Sequence, residues 1–374
     1  MIPFVDLKKQ YYSIKSEIDE AISSVIHNSA FIGGEVVKKF EEAFASQIGV
    51  KRVVTCANGT DSLYIILKML GVGVGDEVIT SAYSWISSSE TISQTGAKPV
   101  FCDIEEDYYT MDSSMIESLI TSRTKAIVAV HIHGQMCDMD RLMKIAKKHN
   151  IFIIEDCAQA HLSSFNGQIA GTFGVAGSFS FYPGKNLGAY GDAGCMVTND
   201  DNLSRLLRMY ANHGALVKHQ HEMEGINSRM DGMQAAILKV KLKHLEKWTQ
   251  KRIDKANYYI SKLENITEIK LPIIRLHTRH SFHLFAIRAE KRNELMDFLK
   301  SKGVDTAIHY PKALPNLGSY RYLNLKPEMF PIATAQEENL LSLPLYPELE
   351  EREIDFICSL IKDFYYMNNC LRPL

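Results

Sequence analysis

The chain has 374 residues, with 42 Lys+Arg against 44 Asp+Glu and a formal net charge of −2. Apolar residues make up 46% and charged residues 23%, which excludes a chain too polar to collapse. The near-neutral balance excludes a protein drawn to nucleic acid or to a membrane surface by long-range charge.

The first nine residues, Met1 to Lys9, lack the apolar run of an export signal, and no apolar run reaches the about 18 residues of a membrane span. The seven cysteines (Cys56, Cys102, Cys137, Cys157, Cys195, Cys358, Cys370) are odd in number and contain no C-x-x-C pair. That pattern suits neither a disulfide framework nor a zinc cluster. It predicts buried thiols in a reducing cytoplasm, and no bound metal.

Short apolar runs alternate with amphipathic stretches between about residues 50 and 200. Strands are predicted at Arg52–Cys56, Glu77–Ser81, Lys98–Cys102, Lys125–Val130, Ile151–Glu155, Gly177–Phe181 and Gly194–Thr198. Helical patterns lie between several of them, at Ser62–Leu70, Ser113–Leu119 and Asp140–Lys148. This alternation predicts an α/β fold: a mostly parallel sheet with helices on both faces, binding its ligand at the strands' carboxyl ends. Ala235–Tyr259 reads as one long connecting helix. A smaller α+β domain then follows, with a strand at His283–Arg288 and helices at Arg292–Lys302 and Glu350–Tyr365. The expected division is 1–245 and 246–374.

Three places at such strand ends carry chemistry. Asn58-Gly59-Thr60-Asp61-Ser62 are good helix-capping residues, and a helix N-terminus with free N–H groups also holds a phosphate. The run Ile151–Ile154 leads directly into Glu155-Asp156, where the aspartate is either a cap or a functional carboxylate. One strand later comes Pro183-Gly184-Lys185 in a glycine-dense segment, where the lysine is either a surface residue or a nucleophile. An aspartate and a lysine so placed suit a pyridine cofactor: the carboxylate keeps the ring nitrogen protonated and the amine bonds its aldehyde. Gly71-Val72-Gly73-Val74-Gly75 has the wrong spacing for a dinucleotide site and precedes a strand, so a Rossmann dehydrogenase is rejected.

Together, Asn58-Gly59-Thr60, Glu155-Asp156-x-Ala158-Gln159, Ser180-x-x-x-x-Lys185-Asn186 and Gly225-x-Asn227-x-Arg229-Met230-Asp231 resemble the DegT/DnrJ/EryC1/StrS sugar aminotransferases. The likeness runs from Phe4-Val5-Asp6-Leu7 to Leu341-Ser342-Leu343-Pro344-Leu345. It implies the aspartate-aminotransferase fold (fold type I), pyridoxal 5'-phosphate as cofactor, and a homodimer whose active sites use both chains. By the same resemblance Lys185 is the Schiff-base lysine and Asp156 the partner of the pyridine nitrogen. Gln159 lies against the ring and Trp85 stacks on its face, unless Trp85 is a core tryptophan. Gly59, Thr60 and Ser180 bind the phosphate, with Asn227 reaching in from the neighbouring chain. A relative with histidine in place of this lysine dehydrates sugars, so Lys185 implies amino transfer.

The segment His213–Met230 clusters cations, among them Lys218, His219, His221 and Arg229, as a solvated loop or a patch for a diphosphate linker. It resembles enzymes that aminate dTDP-linked 3-keto-6-deoxyhexoses, with Tyr182, His309 and Tyr310 facing the sugar and glutamate as amino donor. A 4-keto sugar, a UDP-linked 3-keto sugar and a non-catalytic regulator are the alternatives. A carbon–sulfur lyase is disfavoured, because no cysteine lies on a convincing loop.

Overall fold

A computed structural model describes residues 1–370, with side-chain surroundings given through Met367. Seven strands form the central sheet: β1 (Arg52–Cys56), β2 (Glu77–Ser81), β3 (Lys98–Cys102), β4 (Thr124–Val130), β5 (Phe152–Asp156), β6 (Ala176–Ser180) and β7 (Gly194–Thr198). Their order is β1-β7-β6-β5-β4-β2-β3. Pairing is parallel from β3 through β6, and β7 runs antiparallel to both β6 and β1.

Alternate residues of each strand feed two separate cores, as the two-residue period of a pleated strand requires. Val53, Ile79, Ile127, Ile153, Phe179 and Val197 face one side. There they meet helices α1 (Gly34–Ile48), α4 (Met139–His149) and α6 (Gly232–Leu242) through Phe40, Phe44, Leu142 and Leu238. Val54, Val78, Val128, Ile154 and Met196 face the other side, under α2 (Gly59–Met69), α3 (Ser87–Gln94) and α5 (Asp201–Tyr210).

A third core gathers around β8 (Phe285–Ala289) and β9 (Leu340–Leu343), with Tyr259 of helix α7 (Leu245–Leu263) and Ile354 and Ile361 of Glu351–Cys370. Ile2 from the start of the chain joins this core, held by a bridge to Val304.

One predicted element is corrected. The single helix expected over Ala235–Tyr259 is two helices, α6 and α7. Lys243 and His244 donate to Val240 and Lys241 carbonyls at 3.2 and 3.0 Å, tighter i→i−3 bonds that end α6. His244 then ties to Glu17 at 2.8 Å. The hydrophobic period runs through this break, so periodicity could not reveal it.

The six described cysteines are buried and form no disulfide, while the Cys370 side chain lies outside the described residues. Among the described residues, no helix is long and apolar enough to cross a membrane.

Candidate active site

The loops after β1, β2, β4, β5 and β6 leave the sheet at one end, and the chemistry-bearing residues collect there. Asp156 closes β5. It is buried, and its Oδ1 accepts the Ala158 N–H at 3.1 Å, so it caps its own turn. Its other oxygen has no hydrogen-bond partner among the described residues. Burial pushes the carboxyl above its usual range, against the pull of the Ala158 N–H and Lys185.

Lys185 follows β6 across the Pro183-Gly184 turn, where its N–H donates to Tyr182 O at 2.8 Å. The side chain is half-buried, not a surface lysine, and its amine makes no hydrogen bond among the described residues. Burial pushes its ammonium down to about 8, with Asp156 pulling the other way.

The tip of α2 lies beside the end of β6. Asn58 caps the helix by accepting the Asp61 N–H at 2.8 Å, so capping and anion binding coexist in one segment. Among the described residues the Gly59 and Thr60 N–H groups have no partners in the first turn, as is common at a helix start. A Cβ on Gly59 would sit 2.6 Å from Ser180 Cβ and 3.2 Å from Ser180 Oγ, so only glycine lets helix tip and strand end meet. Thr60 Oγ1 lies 2.7 Å from Ser87 Oγ.

On the other side of Asp156, Gln159 accepts the His133 N–H at 2.6 Å and donates to the Tyr310 hydroxyl at 2.8 Å. Tyr310 lies 5.6 Å from the Trp85 ring, and Trp85 is 58% exposed, so it is no core tryptophan. His309 Nδ1 is 3.1 Å from Ser342 Oγ, and burial pushes its imidazole down to about 4. Tyr182 is exposed at the rim.

Asp156, Lys185, Gly59, Thr60, Ser180, Gln159, Trp85, His309, Tyr310 and Tyr182 therefore share one end of the sheet. Lys218, His219, His221, Asn227 and Arg229 make no side-chain contact with them among the described residues, although Ser228, between the last two, bonds the Ala57 N–H at 3.1 Å and Asp61 at 2.6 Å beside the α2 tip. The first three lie on the exposed hairpin Ala215–His221, and Asn227 and Arg229 are exposed beside Asn212.

Sequence reading missed the braces. Glu155 is fully buried and accepts N–H groups of Gly171, Phe173 and Gly174, each at 2.8 Å, and it lies 3.0 Å from His131 Nε2. Cys157 completes a close group with them, but these hydrogen bonds already occupy the carboxylate, so the cluster needs no metal. The Glu155-Asp156 pair was visible in sequence; its partners lie 16 to 24 residues away along the chain.

A model of the DegT/DnrJ/EryC1/StrS aminotransferase family matches residues 12–362. The chain belongs to this family. It is a pyridoxal-phosphate-dependent sugar aminotransferase. A pleiotropic regulatory protein of Geobacillus stearothermophilus is 41% identical over 97% of this chain and 98% of its own. A dTDP-3-amino-3,4,6-trideoxy-alpha-D-glucose transaminase of Streptomyces venezuelae is 40% identical, covering 93% and 92%. A UDP-N-acetyl-3-dehydro-alpha-D-glucosamine 3-aminotransferase of Acidithiobacillus ferrooxidans is 39% identical, covering 96% and 97%. The crystal structure of DesV from S. venezuelae, in complex with a ketimine intermediate, superposes with TM-score 0.95 at 38% identity, covering 97% and 98%.

The site fits the family's cofactor. Asp156 offers a buried carboxylate with one unpaired oxygen, and Lys185 an unbonded amine of lowered basicity. The Gly59 tip supplies a close-approach cradle with free N–H groups for a phosphate.

Proposed function

We propose that the chain transfers the amino group of glutamate to the 3-keto carbon of a dTDP-linked 3-keto-6-deoxyhexose, as a cytoplasmic homodimer with shared active sites. The carrying observation is Lys185: half-buried, unbonded, and lowered to about 8 opposite buried Asp156. An amine of that basicity is neutral in roughly a tenth of molecules at pH 7, against fewer than about one in a thousand for an unperturbed lysine.

Bound pyridoxal 5'-phosphate supplies an aldehyde for covalent attachment and a ring that draws electrons from the substrate carbon. With that group bound, the Lys185 amine would take and return the proton at the substrate carbon. Asp156 holds the ring nitrogen protonated. Gly59, Thr60 and Ser180 bind the phosphate, joined by Asn227 of the partner subunit. Gln159 and Trp85 flank the ring. Tyr182, His309 and Tyr310 face the sugar, while Lys218, His219, His221 and Arg229 meet the diphosphate.

The dTDP assignment is supported by the 40% identical transaminase of S. venezuelae. A UDP-linked 3-keto sugar is the second reading, supported by the 39% identical enzyme of A. ferrooxidans. Turnover is to be compared on dTDP-3-keto, dTDP-4-keto and UDP-3-keto sugars with glutamate as donor. Preference for the first is expected; activity on the 4-keto compound alone overturns the assignment. A cofactor that no amino donor converts to its amine form would instead favour a regulator.

A further inference from the structure

Among the groups around Lys185 that the proposed chemistry leaves unused, His283 is the most firmly held. It lies just before β8. Its carbonyl and those of Phe282 and Leu345 accept from buried Arg252 at 3.4, 3.4 and 2.8 Å. The next residue, Leu284, donates its N–H to His133 O at 3.3 Å, tying the segment to the loop after β4.

The ring is oriented through Asn186, the residue after Lys185. His283 Nδ1 lies 3.2 Å from Asn186 Oδ1, while Asn186 Nδ2 donates to Ser281 O at 3.1 Å. The second bond assigns the amide: Oδ1 faces the ring and can only accept, so Nδ1 carries the hydrogen. That leaves Nε2 as an acceptor, with no partner among the described residues, on a ring that keeps partial exposure.

The charged and titratable groups around the ring are Lys185, Arg252, His309 and His161, none of them acidic. Burial first, and then these neighbours, hold the imidazole well below its usual range, so Nε2 stays an acceptor at working pH.

We propose that His283 is a positioning residue for Lys185, its Nε2 taking one N–H of the free amine and turning the amine's lone pair toward the reacting carbons. Asn186 sets the tautomer that makes this possible. The inference rests on Lys185 being the amine that moves the proton.

The test uses the cofactor-loaded enzyme with His283→Phe, which keeps a ring and removes the acceptor. Borohydride should still trap the cofactor on Lys185, because attachment does not need the aimed lone pair. The glutamate half-reaction should slow roughly 10- to 100-fold, the scale of a misplaced reacting group. The isotope effect with 2-deuterated glutamate should rise, since proton transfer then limits more of the rate. His283→Gln restores an acceptor oxygen and should recover much of the rate. Asn186→Asp stabilises the imidazolium, so it should add an acid-side loss of activity absent from the wild type.

The role is overturned if His283→Phe keeps the half-reaction within about twofold, or if rate and trapped fraction fall together. Should that variant not fold, Asn186→Asp decides, and a wild-type pH profile overturns the role. Absence of trapping at Lys185 in the wild type overturns the underlying reading instead.

Discussion

Lys185 carries its charge at the expense of the fold. Its ammonium is lowered from 10.5 to about 8 by burial, so the native protein binds that proton more weakly than the unfolded chain. Between these two values the unfolded state holds more protons, and stability rises with pH by up to about 3 kcal/mol. Below about 8 the penalty is fully present; above 10.5 it has vanished. Lys185→Met in cofactor-free protein should therefore melt higher than the wild type at pH 7, with the gap closing as pH approaches 10.5. Thermal unfolding of both proteins across that range measures it, and equal melting at pH 7 refutes it. In the loaded protein Lys185→Ala should abolish the coloured covalent adduct and amino transfer together, read by absorbance and by product formation. The loss of adduct and transfer already follows from the family resemblance of the Lys185 motif, whereas the stability effect was not legible, because a lysine after Pro-Gly is by itself most often a surface residue. What distinguishes it is burial, which only the folded chain supplies.

At the level of elements, α2 and β6 are joined by what Gly59 lacks. Gly59→Ala places a Cβ 2.6 Å from Ser180 Cβ, and both neighbours are backbone-anchored, so the helix tip must move away from the strand end. Overpacking of this kind costs about 1–3 kcal/mol. The proposed phosphate cradle should open with it, lowering cofactor affinity at least about tenfold, a change of roughly 1.4 kcal/mol. Cofactor titration followed by absorbance measures this, and unchanged affinity would separate the helix tip from the phosphate.

Four of the seven strands were legible to the residue, because buried strands in such a sheet are dense apolar runs ended by polar residues. The start of α2 was less so: apolar periodicity begins at Ser62, but the Asn58 cap places the first turn at Gly59. The α6–α7 break and the Glu155 brace were hidden for a shared reason. Both depend on backbone hydrogen bonds, which leave no mark on side-chain pattern.

Over the whole molecule, one chain leaves its proposed substrate patch facing outward. Asn227, Arg229 and the hairpin Ala215–His221 are exposed, and so are Phe31 at 47%, Ile32 at 57% and Val217 at 56%. Exposed apolar side chains beside exposed polar ones are what an interface between two copies leaves on each. The division into 1–245 and 246–374 remains our proposal, and within it Asn227 lies on the same domain as Lys185, so reach across the dimer is a question of copies. Lys185→Ala, expected inactive, and Asn227→Ala, expected to hold cofactor weakly, can be mixed after reversible dissociation and assayed at a cofactor level where each alone is nearly inactive. If Asn227 serves the neighbouring site, each mixed dimer carries one site with both residues intact and one lacking both. Random reassortment then restores about a quarter of wild-type activity, since half the dimers are mixed and half their sites are whole. If Asn227 serves its own chain's site, every site lacks one residue and the mixture recovers nothing beyond its parents.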